Sequence, residues 1–180
     1  KENLCHPNTL RETAVVPTFH ATLRSYQKTG YQWLHQMSQL GFGACLADDM
    51  GLGKTVQVIA LLEEVRVREG GKALLILPAS LIGNWQKEIE KFAPEMPYQV
   101  LHKSSGKGSD GMRIQEDRFL YITTYGMALR LEELRNRKWD YLILDEAQAI
   151  KNPGTKQTKA IKQIPAGMRI ALTGTPIENR

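Results

Sequence analysis

The chain has 180 residues, of which 42% are hydrophobic and 24% are charged, enough to bury one substantial core but not two. Its two cysteines and four histidines lack the spacing of a metal site, so we assign no transition-metal centre. No signal peptide or bilayer-spanning apolar stretch is recognisable, and we expect a cytoplasmic protein, associated with the nucleoid in a bacterium or nuclear in a eukaryote.

Strand-like runs alternate with helical patterns along most of the chain. Residues 1–22 lack periodicity, and we interpret them as a linker or the tail of a preceding domain. A near-helical apolar pattern follows over residues 25–40. Predicted strands cover 43–47, 73–77, 98–101, 119–123, 141–145 and 168–172, and predicted helices cover 55–68, 81–92, 126–134 and 156–163. This order predicts an α/β fold with a mostly parallel sheet and helices on both faces.

A glycine-containing loop, D-D-M-G-L-G-K-T at residues 48–55, separates the first of these strands from its helix. Gly51 and Gly53 allow backbone N–H groups to turn toward phosphate oxygens, and the helix directs its positive dipole end at the same anion. Lys54 would reach the β- and γ-phosphates of a nucleoside triphosphate, and Thr55 would ligate Mg²⁺. The general phosphate-loop pattern has glycine where this chain has Asp48, so a turn that only caps the helix remains an alternative.

Two carboxylates follow a strongly apolar run, Tyr141 to Leu144. This pattern predicts a buried parallel strand that ends in acid. Beside a phosphate loop, an acid at a strand's carboxyl end is where a nucleotide-bound Mg²⁺ needs a ligand. Asp145 is the candidate metal ligand, and Glu146 is the candidate for orienting or deprotonating the attacking water.

Basic residues gather in two tracts on either side of this acidic strand end. One covers residues 130–138, and the other contains Lys151, Lys156, Lys159 and Lys162. With the mild net charge of +5, they permit a polyanionic partner. Solvated helix faces would explain the same spacing equally well.

Several segments, in order, resemble the first ATPase lobe of the Snf2 family in helicase superfamily 2. Their motif sequences are most like those of bacterial or archaeal members. The resemblance covers residues 19–180, and it predicts a RecA-like P-loop NTPase lobe over residues 23–180. The similar segments are L-R-S-Y-Q at 23–27, the phosphate loop, L-P-A-S-L-I with N-W at 77–85, T-T-Y at 123–125, D-E-A-Q at 145–148 and L-T-G-T-P-I-E-N at 172–179.

The resemblance implies a role for each matching residue. Gln27 would read the adenine edge, and the nucleotide would also contact Asp49, Met50, Gly51, Leu52, Gly53, Lys54 and Thr55. Pro78, Ser80, Thr123 and Thr124 would contact the backbone of double-stranded DNA, while Trp85 is expected to be a core residue. Thr173, Gly174 and Thr175 would couple the γ-phosphate to the DNA face. A second RecA-like lobe would supply an arginine finger, so the isolated lobe is expected to hydrolyse ATP poorly.

Three functions are compatible with these features. The first is an ATP-dependent translocase on double-stranded DNA that remodels protein–DNA complexes. The second is a strand-separating DNA or RNA helicase, although D-E-A-Q rather than D-E-A-D argues against the common RNA class. The third is a docking scaffold without catalysis, which the presence of Lys54, Thr55, Asp145 and Glu146 argues against.

Overall fold

A computed structural model describes residues 17–19, 44–47, 54–102, 114–146 and 155–173 of the chain. The strands in these residues are β1 (Ala44–Ala47), β2 (Ala73–Leu77), β3 (Tyr98–Leu101), β4 (Leu120–Thr124), β5 (Trp139–Leu144) and β6 (Ala166–Thr173). The helices are α1 (Lys54–Arg68), α2 (Ile82–Phe92), α3 (Tyr125–Arg130), α4 (Glu132–Arg135) and α5 (Lys156–Lys162), with a 3-10 turn at Ala79–Leu81 before α2. All six strands predicted from the sequence are confirmed, and the predicted helix at 25–40 lies outside the described residues.

The six strands form one sheet in the order β1-β6-β5-β2-β4-β3, and every pairing is parallel. Parallel strands place all their carboxyl ends at one edge of a sheet. The register aligns Ala47 with Thr173, and Leu77 with Thr124, close to that edge. The segments that follow the strands are far apart in the sequence but therefore lie along the same end of the sheet.

Two apolar cores lie on opposite faces of the sheet. Successive residues of a strand point to opposite faces, so Leu75 and Leu77 pack with α1 and α2, whereas Leu74 and Ile76 pack with α3, α4 and α5. A sheet buried on both faces requires continuously apolar strands, and every residue of β2 is buried. The predicted helices on both faces are confirmed. None of the helices in the described residues combines the length and apolarity needed to cross a membrane.

The packed domain begins before residue 23. Phe19 is only 5% exposed, and its ring lies 6.1 Å from that of Phe92, centroid to centroid. The Thr18 hydroxyl donates to the buried carboxylate of Glu63, which also accepts two hydrogen bonds from Arg66 at 2.8 and 2.6 Å. The end of the predicted linker is thus part of the domain, while residues 1–16 lie outside the described residues.

The helix predicted at 126–134 is two short helices separated by Leu131. Leu131 has extended backbone angles, φ −89° and ψ 93°, and its side chain is buried in the second core. The Arg135 guanidinium donates to the carbonyls of Ala128 and Leu129, near the end of α3. Burial of one leucine has therefore overridden a continuous helical pattern.

We predict that Gly71→Ala destabilises the domain more than Gly70→Ala. Gly71 has φ +98°, and a Cβ there would lie 2.3 Å from the Asp140 carboxylate oxygen that accepts the Lys72 N–H at 2.8 Å. Gly70 also has a positive φ, +75°, but a Cβ there meets no atom within 4 Å. Both variants suffer backbone strain of about 1–2 kcal/mol, and Gly71→Ala additionally disrupts a hydrogen bond worth about 1 kcal/mol.

Thermal unfolding of both variants measures the difference. For a domain of this size, each kcal/mol lowers Tm by about 2–4 °C, so Gly71→Ala should melt at least a few degrees below Gly70→Ala. Equal Tm values would show that the contact with Asp140 does not constrain residue 71.

Candidate nucleotide and nucleic-acid site

The phosphate-loop side of the sheet edge is formed by β1 and α1. Strand β1 ends at Ala47 and α1 begins at Lys54, on either side of residues 48–53, for which the sequence predicts the phosphate loop. The first turn of α1 contains no acidic residue, as an anion-binding helix start requires. Thr55 in that turn is half-buried. The predicted nucleotide contacts at Gln27 and at residues 49–53 lie outside the described residues.

Asp145 follows β5 and is almost fully buried, at 5% exposure. Its Oδ2 accepts a hydrogen bond from Trp85 Nε1 at 2.7 Å, and its Oδ1 accepts one from the backbone N–H of Glu146 at 2.8 Å. Its own N–H donates to the carbonyl of Ile76 on β2 at 2.9 Å, and its carbonyl accepts from the Tyr125 hydroxyl at 2.7 Å. Backbone and carboxylate are therefore both held in one orientation.

Glu146 is the only non-glycine residue with a positive φ among the described residues, at 53°. A left-handed conformation of this kind costs a residue with a Cβ on the order of 1–3 kcal/mol and is concentrated at functional sites. The hydrogen bond from its N–H to Asp145 helps to hold this backbone turn. The half-buried Glu146 side chain consequently starts from the same edge of the sheet as Asp145.

The donor chemistry at Asp145 fits Mg²⁺. Within the described residues, no three His, Cys, Asp or Glu side chains are grouped as a metal cage. Mg²⁺ needs no such cage, because it binds one or two carboxylates and retains several waters. A carboxylate has about four lone-pair sites, so the two hydrogen bonds that Asp145 accepts are compatible with ligating a cation.

Tyr125 remains a hydrogen-bond donor to Asp145 over the physiological pH range. Burial raises the pKa of the Tyr125 phenol well above its usual value, and the nearby carboxylates of Asp145 and Glu146 raise it further. A phenol titrates to a charged form only above its pKa, so the raised value keeps Tyr125 neutral and protonated. The interaction with the Asp145 carbonyl is therefore insensitive to pH near neutrality.

The predicted DNA contacts lie in the segment after β2 and at the end of β4, with different exposures. Ser80 is exposed in the 3-10 turn and Pro78 is half-buried, so both are near the surface. Thr124 is buried, and its Oγ1 accepts a hydrogen bond from Met127 N–H at 3.1 Å, capping α3. Thr123 is 0% exposed, and its hydroxyl donates to the Leu101 carbonyl at 2.8 Å.

These positions separate the four candidates. Pro78 and Ser80 are near the surface, so a contact between either residue and a DNA phosphate is possible and stays a prediction. The hydroxyls of Thr123 and Thr124 instead hold β4 to β3 and cap α3, so this conformation does not favour a phosphate contact by either side chain. The sequence could not reveal this difference, because threonine is favoured both in strands and at helix N-caps.

The residues predicted to couple the γ-phosphate to the DNA face, 173–175, begin at the end of β6. Strand β6 lies between β1 and β5, and it ends at Thr173. Thr173 is therefore placed between the start of the phosphate loop and the strand that carries Asp145. Gly174 and Thr175 lie outside the described residues.

The basic tract at 130–138 is partly structural. Arg135 donates to the carbonyls near the end of α3, and Arg137 forms an ion pair with Glu116. This pair lowers the pKa of the exposed Glu116 carboxyl, chiefly through the hydrogen bond from Arg137. Arg130 and Lys138 are exposed, as are the lysines of α5. For Arg135 and Arg137, the structural interpretation of the tract is therefore the better one.

Two site residues were not identified as such from the sequence. Trp85 is a buried core residue, as predicted, but its indole also binds Asp145. Tyr125 was noted only as part of T-T-Y, and its hydroxyl reaches the same residue. No local pattern predicts either contact, because Trp85 and Asp145 are 60 positions apart.

Comparison with known proteins shows the family to which the chain is similar. Residues 26–180 match the model of the SNF2-related domain. The putative ATP-dependent helicase/translocase YwqA of Bacillus subtilis is 46% identical in a 178-position alignment that covers 95% of this chain and 19% of that protein. The chromatin-remodeling ATPase INO80 of Arabidopsis thaliana is 35% identical over 98% of this chain and 13% of its own length. This chain thus spans less than a fifth of either relative.

A solved structure extends the likeness to three dimensions. The Sulfolobus solfataricus SWI2/SNF2 ATPase core in complex with dsDNA superposes with a TM-score of 0.86 at 43% identity, covering 94% of this chain and 35% of that one. The same core domain in a second structure gives a TM-score of 0.82. The predicted RecA-like α/β fold and the resemblance seen in the sequence motifs are confirmed. The chain belongs to the SNF2-related family.

Proposed function

We propose that this chain is the ATP-binding lobe of an ATP-dependent translocase on double-stranded DNA that remodels protein–DNA complexes. One observation carries the proposal. At a single sheet edge, the phosphate-loop strand β1 and the acid-bearing strand β5 lie on either side of β6, and β2 with its exposed Ser80 segment lies next to β5. In the proposed function, nucleotide chemistry and a nucleic-acid contact would lie at the carboxyl ends of neighbouring strands.

Each residue on the nucleotide side has a role that its position permits. Lys54 at the start of α1 would compensate charge on the β- and γ-phosphates, and Thr55 and Asp145 would hold Mg²⁺. Mg²⁺ would neutralise phosphate charge that develops during transfer. Glu146 would orient or deprotonate the attacking water.

The proposed partner is the DNA backbone. Ser80 is exposed beside the first turn of α2, where a hydroxyl and helix-start N–H groups can contact phosphates without reading bases. Contacts of this kind are independent of sequence, as movement along a duplex requires. The Sulfolobus core, 43% identical to this chain, was solved in complex with dsDNA, which supports the same partner here.

A second RecA-like lobe of the same polypeptide is the other proposed partner. This chain covers 35% of the Sulfolobus ATPase core and 19% of the Bacillus relative, so those proteins contain more than the part matched here. An arginine supplied across the nucleotide by such a lobe would raise the rate by a factor on the order of 10³ to 10⁵.

The proposal predicts that duplex DNA of any sequence accelerates ATP hydrolysis by the full-length protein. Binding should weaken as salt rises, because phosphate contacts release counterions. Steady-state ATPase assays with duplex DNA, single-stranded DNA and RNA, each at two salt concentrations, measure this. Stimulation by RNA alone would instead indicate an RNA helicase, and no stimulation by any nucleic acid would favour a docking scaffold.

Ser80→Asp tests whether Ser80 lies at the proposed interface with DNA. A carboxylate at this exposed position would repel a DNA phosphate, so we expect a higher DNA concentration for half-maximal stimulation and unchanged ATP binding. Asn136→Asp is the matched control, because it adds the same charge at an exposed residue just before β5, near the opposite edge of the sheet. Equal behaviour of the two variants would remove Ser80 from the DNA interface.

A further inference from the structure

Two aromatic side chains from different helices converge on Asp145. Trp85 of α2 donates its indole N–H to the carboxylate at 2.7 Å, and Tyr125 of α3 donates its hydroxyl to the backbone carbonyl at 2.7 Å. Both side chains are buried. The residue assigned to the metal is therefore held by two helices that are not part of the phosphate loop.

The two helices follow the two segments in which the resemblance places DNA contacts, residues 78–81 and 123–124, called here the DNA-side segments. In the second segment only the backbone is available for such a contact, because both threonine hydroxyls bond within the domain. Helix α2 continues directly from the Ala79–Leu81 turn that carries Ser80, and α3 begins at Tyr125, directly after its cap Thr124. Strand β2, which leads into the Ser80 turn, is also bonded to Asp145 through the Ile76 carbonyl. A shift of the Ser80 turn or the Thr124 cap therefore has a short path to Asp145, which consists of one helix and one hydrogen bond or of the adjacent strand.

A buried hydrogen bond transmits such a shift because breaking it is costly. Separating the buried indole N–H from the carboxylate would break a strong, charge-assisted hydrogen bond and leave a buried donor unsatisfied. The Trp85 ring and the carboxylate are therefore expected to move together. The orientation of the carboxylate in turn decides which of its lone pairs faces a cation. Neighbouring groups of this kind commonly change metal affinity by 10- to 100-fold when they are removed.

We propose that Trp85 and Tyr125 are positioning residues that couple the DNA-side segments to the Asp145 carboxylate, so that a nucleic-acid backbone on those segments adjusts the metal ligand. The inference rests on the proposed function for the identity of the partner. Coupling between two binding sites is reciprocal, so Mg²⁺-nucleotide must change the affinity for DNA by the same factor as DNA changes the affinity for Mg²⁺-nucleotide.

The chain offers a matched control for Trp85. Trp139 is equally buried, at 0% exposure against 1% for Trp85, and its indole N–H donates to the Leu134 carbonyl at 2.9 Å. It lies at the start of β5, at the opposite end of the strand from Asp145. Trp85→Phe and Trp139→Phe therefore remove the same atoms from equally buried rings, and only the first removes a donor to Asp145.

The first measurement is the equilibrium affinity of the full-length protein for a fluorescent, non-hydrolysable ATP analogue, with Mg²⁺ and with EDTA. Mg²⁺ increases the affinity for the nucleotide, and Trp85→Phe is expected to reduce this increase by about tenfold. The affinity measured in EDTA should change little. Trp139→Phe should retain the gain. If both variants retain it, or both lose it equally, Trp85 does not position the metal ligand.

The second measurement is the affinity for a labelled duplex, with and without Mg²⁺ and the analogue. In the unaltered protein this affinity should depend on the nucleotide. In Trp85→Phe and Tyr125→Phe, the effect of nucleotide on duplex affinity should shrink toward none. Tyr121→Phe, which removes a buried hydroxyl bonded to the Gln115 and Arg118 carbonyls, is the control for Tyr125.

The outcomes separate this inference from the proposed function. If the unaltered protein binds no duplex, the proposed function fails, and the coupling fails with it. If duplex binding depends on nucleotide in the unaltered protein and equally in Trp85→Phe and Tyr125→Phe, the proposed function stands and the positioning role is wrong.

Discussion

Lys54→Ala is expected to lower ATP hydrolysis by the full-length protein about 100- to 1000-fold, as loss of one preorganised electrostatic contact in a transition state does. Lys54 is the first residue of α1, directly after the phosphate loop, and the first helical turn contains no acid that would offset its charge. Alanine removes the ammonium but preserves helix propensity, so the fold should be retained. Steady-state turnover with saturating duplex DNA gives the size of the effect.

Arg68→Ala is the control for Lys54→Ala. It removes one positive charge from the other end of the same helix, where the Arg68 side chain is exposed and pairs with Glu64 at 3.5 Å. A surface pair of this kind contributes little to stability, at most about 1 kcal/mol. Turnover should be unaffected by Arg68→Ala, and an equal loss in the two variants would exclude Lys54 from the nucleotide site.

Glu146→Gln is expected to separate binding from hydrolysis. The amide keeps the shape of the side chain and the left-handed backbone at φ 53°, but it is a far weaker base. If Glu146 activates the attacking water, hydrolysis should fall by about 10²- to 10⁴-fold while Mg²⁺-ATP still binds. Turnover assays and nucleotide titrations on the same preparation measure both quantities.

Asp145→Ala should show the opposite pattern, with loss of Mg²⁺-dependent nucleotide affinity. It should also destabilise the domain, because the buried indole N–H of Trp85 loses its acceptor at a cost of about 1–3 kcal/mol. Thermal unfolding must therefore accompany the titrations, and Asp145→Asn, which keeps one acceptor oxygen, should be the less destabilised of the two. The assignment of metal ligand and base would be wrong if Glu146→Gln also lost Mg²⁺-dependent affinity.

The fold class followed from the sequence because its signals are local. Four- to eight-residue apolar runs alternate with helical patterns, and this alternation alone predicts a parallel sheet covered on both faces. All of β2 and residues 141–143 of β5 are buried, and their sequences are correspondingly apolar. The pair Asp145-Glu146 was assigned to a strand's carboxyl end for the same reason, and the structure places it there.

Predictions from local sequence patterns were wrong where packing between distant segments decides the conformation. Leu131 fits a helical pattern but is extended, because its side chain is buried in the core. Phe19 follows a stretch without periodicity but packs on Phe92. At Leu131, the burial of one apolar side chain, worth about 1.5–3 kcal/mol, exceeds a helix-propensity difference of less than 1 kcal/mol per residue.

By itself, the sequence determined the order of the six strands along the chain, the acidic strand end and the family to which the motifs belong, while the phosphate loop stays a prediction. The strand order was decided only by the tertiary structure, since it depends on which strands pair across the sheet rather than on neighbours in the chain. That order brings Trp85 within hydrogen-bonding distance of Asp145 across 60 positions and turns the Thr123 hydroxyl inward to Leu101. Contacts of this kind leave no local pattern, because a tryptophan or a threonine has the same spacing in the sequence whether its polar atom meets a carboxylate, a carbonyl or water.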